Sequence, residues 1–90
     1  MIYTMDVTLS CKGSIEKACK KNPVLRKVLR NKMEEIISNP EHYKPLKHDL
    51  VGERRVHILK SFVLKFEVNE SAKIVTFIEF GHHDDAYRRT

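Results

Sequence analysis

The sequence predicts an α+β fold: an N-terminal strand, a helical hairpin, then a three-stranded antiparallel meander forming one sheet packed on the helices. Three observations predict it. Residues 2–9 alternate between apolar and polar side chains. Residues 23–38 carry an apolar stripe at helical spacing, opened by Asn22-Pro23 and closed by Asn39-Pro40. Three strand-forming runs, about 54–59, 62–69 and 73–80, are joined by connections short enough to be hairpin turns. Packing helices on one face of a sheet is how such a pattern buries both apolar surfaces.

In the first strand Tyr3, Met5, Val7 and Leu9 fall on one side, and Thr4, Asp6 and Thr8 on the other. A short first helix follows, with Ser10 or Ser14 as its cap and Gly13 weakening its start. Asn22 caps the second helix. Pro23 suits its first position, where a backbone N–H would lack a partner anyway. Val24, Leu25, Val28, Leu29, Met33, Ile36 and Ile37 make the stripe, while Arg26, Lys27, Arg30 and Lys32 fill the solvent side. Asn39 precedes a proline and so avoids helical angles. Residues 39–53 read as a connection, with Leu46 and Leu50 as anchors. Lys60-Ser61 and Asn69-Glu70-Ser71 read as the two hairpin turns.

Ninety residues predict a single domain over 1–90 with a small core. At 41% hydrophobic residues the chain is too apolar for disorder. Its apolar runs are too short to span a membrane, and Met1–Asp6 lacks signal-peptide features, so the expectation is a cytoplasmic protein with no membrane partner. Seventeen Lys plus Arg against twelve Asp plus Glu give a net charge of +5, which favours anionic partners such as nucleic acid or an acidic protein segment. Cys11 and Cys19 on one helix would lie about 12 Å apart. A disulfide needs less than about 7 Å, so two reduced thiols are expected.

The chemistry gathers at two segments. The strand Lys73–Phe80 runs into Gly81-His82-His83-Asp84-Asp85-Ala86-Tyr87-Arg88-Arg89, and Arg54-Arg55-Val56-His57-Ile58 carries a similar mix. Alternation points Val56 and Ile58 to the core and Arg55 and His57 away. Phe62, Leu64, Phe66 and Val68 share one face. Ile74, Thr76, Ile78 and Phe80 share one face of the last strand, and Val75, Phe77 and Glu79 the other. Parity carried through Gly81 puts His83 on the face of His57 and Arg55, although glycine is also a place where strands end. The face with Val63, Val75 and Phe77 is more apolar than a free surface, which predicts a partner there.

His, Arg, Lys and Tyr are the groups that cut RNA without a metal. A base takes the proton of the attacking 2′-hydroxyl, an acid protonates the leaving 5′-oxygen, and cations absorb charge on the phosphoryl oxygens. Imidazole suits both proton roles, and Arg grips phosphate with two donors. Tyr87 or Phe77 could stack a splayed base. No cofactor is expected: adjacent residues of an extended His-His-Asp-Asp tail diverge, and no helical His spacing supports a metal site. The plain alternative is that a strand histidine is only a surface residue. His42 and His48 read as solvated, and Tyr3 and Tyr43 as packing residues.

Tyr43-Lys44-Pro45-Leu46, Arg55-Val56-His57-Ile58, Phe62-Val63-Leu64-Lys65-Phe66 and Phe80-Gly81-His82-His83-Asp84-Asp85-Ala86-Tyr87 resemble segments of the RelE/ParE toxin superfamily, in the branch containing YafQ. The resemblance implies a RelE-like fold and the toxin of a type II toxin–antitoxin pair. Such toxins cleave mRNA on the ribosome without metal and are inhibited by a cognate, here acidic, antitoxin in a hetero-oligomer. By position it makes His83 and His57 catalytic and Tyr87 the aromatic that follows. Arg55 and Lys44 match as phosphate contacts, Arg55 serving catalysis; Lys60 and Arg88, the latter in a tail that runs past the family pattern, are added as substrate contacts. Where that branch carries Asp-Trp this chain has Ser61-Phe62, so one acidic group has no counterpart. Gyrase inhibition as in the ParE branch, a non-catalytic RNA- or ribosome-binding module, and a toxin that has lost activity stay open as alternatives.

Overall fold

The computed structural model describes residues 2–43 and 53–82. Strand β1 (Thr4–Val7) leads into helices α1 (Leu9–Cys19) and α2 (Pro23–Ser38), then a single 3-10 turn (Pro40–His42). Strands β2 (Glu53–Ile58), β3 (Phe62–Asn69) and β4 (Ile74–His82) follow. The sheet order is β1-β4-β3-β2. The last three strands form the expected antiparallel meander, and β1 joins parallel to β4 with Thr4 opposite Ile74. Both helices pack on one face of the sheet, and among the described residues no helix covers the other. No helix among the described residues is long and apolar enough to cross a membrane.

The second helix has the predicted bounds. The Asn22 side chain accepts the Leu25 N–H at 3.1 Å, and Leu25, Leu29, Met33 and Ile36 are buried. The first helix starts earlier than Ser10 or Ser14 would have it. Thr8 is the cap, its hydroxyl accepting the Cys11 N–H at 3.2 Å and donating to the Ile78 carbonyl at 3.2 Å. Leu9 therefore belongs to α1, not to the strand, and lies 88% exposed. Gly13 sits inside the helix. Cys11 and Cys19 are free thiols as expected, both buried.

Turn geometry trims two strands. Leu59 (φ 56°) and Lys73 (φ 58°) adopt left-handed backbone, so β2 ends at Ile58 and β4 begins at Ile74. At the other end β4 runs through Gly81 to His82, pairing Gly81 with Val63 and His82 with Phe62.

A β-bulge corrects the predicted facing of β4. Glu79 pairs with Lys65 and Phe77 with Phe66, leaving Ile78 as the extra residue. Val75, Phe77 and Phe80 all enter the core with Leu64 and Phe66, so strict alternation fails at Ile78. Val75 and Phe77 are therefore in the core at 0% exposed, and Val63, on the opposite side of the sheet, is 1% exposed, so these three do not form the free apolar surface that was expected. The exposed large apolar side chains are instead Ile2, Met5, Leu9, Val24 and Leu59.

Candidate active site on the open sheet face

Register assembles this face in rows. His57, Val63 and Gly81 are direct partners across β2, β3 and β4. Since Leu64 and Ile58 belong to the core, alternation turns this row away from the helices. Arg55, Lys65 and Glu79 form the next row. Glu53, Glu67 and Thr76 form the one beyond. Charge thus changes along the strands, from histidine and cations near the β2–β3 turn to carboxylates at the far end.

His57 is exposed and Arg55 half-buried. Lys60 is exposed in the turn that follows β2. Lys65 faces Glu79 at 3.5 Å, which offsets part of its charge. His57 and Gly81 stand two strand spacings apart, about 10 Å. Lys44, His83, Tyr87 and Arg88 lie outside the described residues.

Sequence reasoning gave His82 no role in the site. It takes the opposite parity from Gly81 and stands edge-on to Phe62, with ring centroids 5.7 Å apart. The signal was available: once a strand crosses Gly81, consecutive histidines must diverge to opposite faces.

Tyr43 is the packing residue expected. Its ring is edge-on to Phe66 at 5.8 Å and its hydroxyl donates to the Glu35 carboxylate. Burial, then the hydrogen bond to Glu35, push the phenol up to about 12. The same hydrogen bond, aided by Lys32, holds Glu35 below the usual carboxylate range. Arg54, one residue from Arg55, points the other way and donates to the Pro40 carbonyl at 3.4 Å, tying β2 to the end of α2. Tyr3 also packs as expected, 6% exposed, with its hydroxyl on Glu70 and its ring under Lys73.

A sheet with a helical hairpin packed on one side is the fold of solved toxins. Escherichia coli YafQ in its complex with DinJ superposes with a TM-score of 0.75 at 17% identity, over 97% of this chain and 99% of that one. RelBE2 from Mycobacterium tuberculosis, a toxin–antitoxin complex, gives 0.73 at 18%, over 92% and 100%. Identities this low establish the fold. Sequence goes further: a protein carrying the toxin name RelE4 in Methanocaldococcus jannaschii is 43% identical over 88 residues, 98% of this chain and 94% of that one. The family model for the ParE toxin of type II toxin–antitoxin systems matches residues 14–87. The chain belongs to that family, within the RelE/ParE superfamily.

Proposed function

We propose that this toxin is a ribosome-dependent endoribonuclease that cuts mRNA and so arrests translation. The observation that carries the reading is the row His57–Val63–Gly81 on the helix-free face, with Arg55 in the adjoining row. The scissile phosphodiester sits beside the exposed His57 and the half-buried Arg55; Val63 itself is buried. His57 and His83 share the acid and base duties. One takes the proton of the 2′-hydroxyl as its oxygen attacks phosphorus; the other protonates the 5′-oxygen as the P–O bond breaks. The products are a 2′,3′-cyclic phosphate and a 5′-hydroxyl. Arg55 and Lys60 hold the phosphoryl oxygens as charge builds, Lys44 and Arg88 add cations along the strand of RNA, and Tyr87 stacks on a base. The nucleophile belongs to the RNA, so this scheme calls on no metal.

The partner is an acidic, amphipathic antitoxin that folds on the toxin. Support comes from the net charge of +5 and from the solved relatives, YafQ with DinJ and RelBE2, which are toxin–antitoxin complexes.

The test is induction of the wild-type chain, His57→Ala and His83→Ala, with primer extension on cellular mRNA. Wild type gives discrete cut sites, and each variant loses about a hundredfold or more in cleavage rate. Unchanged arrest in both variants removes the catalytic assignment. The family match to a ParE toxin favours one second reading, inhibition of DNA gyrase. Loss of gyrase supercoiling activity with intact mRNA would select it.

A further inference from the structure

Strand β4 carries chemistry to both sides of the sheet. After the bulge Phe80 enters the core, Gly81 faces away from the helices, and His82 returns toward them opposite Phe62. Phe62 lies flat on Phe80, with centroids 5.3 Å apart and 8° between the planes. Strand β1 stops at Val7, opposite Phe77, so beyond that point β4 has α1 beside it instead of a neighbouring strand.

Between them lies a cleft of about 600 Å³. Its helix wall presents Ser10, Ser14 and Lys17, all exposed and spaced to fall on one helical face. Its sheet wall presents Phe62, Phe80 and His82. Phe62 is only half-buried, so part of its ring remains open. Glu79 stands on the rim, held by Lys65 at 3.5 Å. Gly81 belongs to the lining, and a Cβ there would meet nothing within 4 Å.

We propose that this cleft takes one unstacked nucleotide of the single-stranded RNA whose adjacent phosphodiester lies on the open face. The inference rests on the RNA-cutting reading and assigns a second contact to it. The volume falls in the range of small-molecule pockets. A flat aromatic wall stacks a base of any sequence. Lys17 and the two serine hydroxyls meet phosphate and ribose, and Glu79 accepts from a base N–H or a 2′-hydroxyl.

The experiment uses the full chain and a short single-stranded RNA made uncleavable by a 2′-deoxy nucleotide at the cut site. Amide shifts are mapped by NMR and affinity is measured against salt. The expected result is perturbation at Ser10, Ser14, Lys17 and His82 together with His57. Ser14→Phe, which fills the cleft from an exposed position, weakens binding about tenfold. Lys17→Gln lowers the slope of log affinity against log salt by about 0.7. Shifts confined to the His57 face, with both variants binding as wild type, overturn the proposal. The two readings fail separately. Cleavage that survives unchanged in Ser14→Phe removes the cleft and leaves the nuclease; cleft shifts in a chain that cuts no mRNA remove the nuclease and leave the cleft. If Ser14→Phe does not fold, the salt slope of Lys17→Gln decides.

Discussion

Phe77→Ala tests the placement of the bulge most directly. Strict alternation would put Phe77 on the side away from the helices; the structure buries it completely, 5.8 Å from the ring of Phe66. Truncating a buried Phe to Ala costs about 3–5 kcal/mol. Of that, about 0.5–1.5 kcal/mol belongs to the aromatic pair. A ninety-residue domain holds about 5–13 kcal/mol in total. The substitution therefore removes roughly a quarter or more of the stability. At about 4–8 °C per kcal/mol the melting temperature falls roughly 12–40 °C. Thr76→Ala, its neighbour on the open face, is the control and stays within about 0.5 kcal/mol. The assay is thermal unfolding followed by circular dichroism, with a urea titration at 25 °C. A Phe77→Ala melting point no lower than that of Thr76→Ala would refute the burial and the bulge with it. A Phe66→Ala/Phe77→Ala double variant should lose less than the sum of the singles, since the pair can be broken only once.

Three further outcomes follow from named contacts. Thr8→Ala removes both the α1 cap and the hydroxyl on the Ile78 carbonyl, so it should cost about 1–2 kcal/mol in a urea melt, against about 1 kcal/mol for Asn22→Ala. Cys11 is pushed up to about 11 by burial, with Glu79 adding to it, and burial also raises Cys19. Mass spectrometry after iodoacetamide at pH 8 should find both unmodified until urea unfolds the chain; rapid native alkylation of either would contradict their burial. The Tyr43 phenol, raised to about 12, stabilises the fold fully below its unfolded value near 10, and that contribution is lost as pH rises toward 12. Wild type should therefore lose stability relative to Tyr43→Phe between about pH 10 and 12. A constant difference across that window counts against the Glu35 hydrogen bond.

What the sequence disclosed was mostly local chemistry. Asn22-Pro23 and Asn39-Pro40 fix α2 because capping and proline sterics act over a few residues, and the helix found is Pro23–Ser38. Strand β3 likewise appears as read, over Phe62–Asn69. Interactions from distant chain were hidden. Thr8 looks like the end of an alternating strand until the Ile78 carbonyl, seventy residues later, draws its hydroxyl into a cap. The bulge has no strong mark in Lys73–Phe80, because apolar residues on both parities read equally as a strand buried on both faces. The row of the candidate site was legible where alternation holds: Arg55 and His57 turn away from the core and Gly81 shares their face, while His83, for which the parity argument was made, lies outside the described residues. It failed for the docking surface, where counting apolar residues without locating the extra one placed Val75 and Phe77 in the open.

The parallel pairing of β1 with β4 has a consequence for how the chain comes into being. Thr4 waits for Ile74, the partner made seventy residues after it. At about 5–20 residues per second that delay is roughly 4–14 s. Throughout it the first strand has no neighbour, and the stripe of Leu25, Leu29, Met33 and Ile36 has no sheet to cover it. Closure depends on a contact spanning most of the chain, and pairing of that kind forms slowly because its loop entropy is spent first. A newborn molecule is thus inert for as long as its own synthesis lasts, and an inhibitor made in the same interval has a head start.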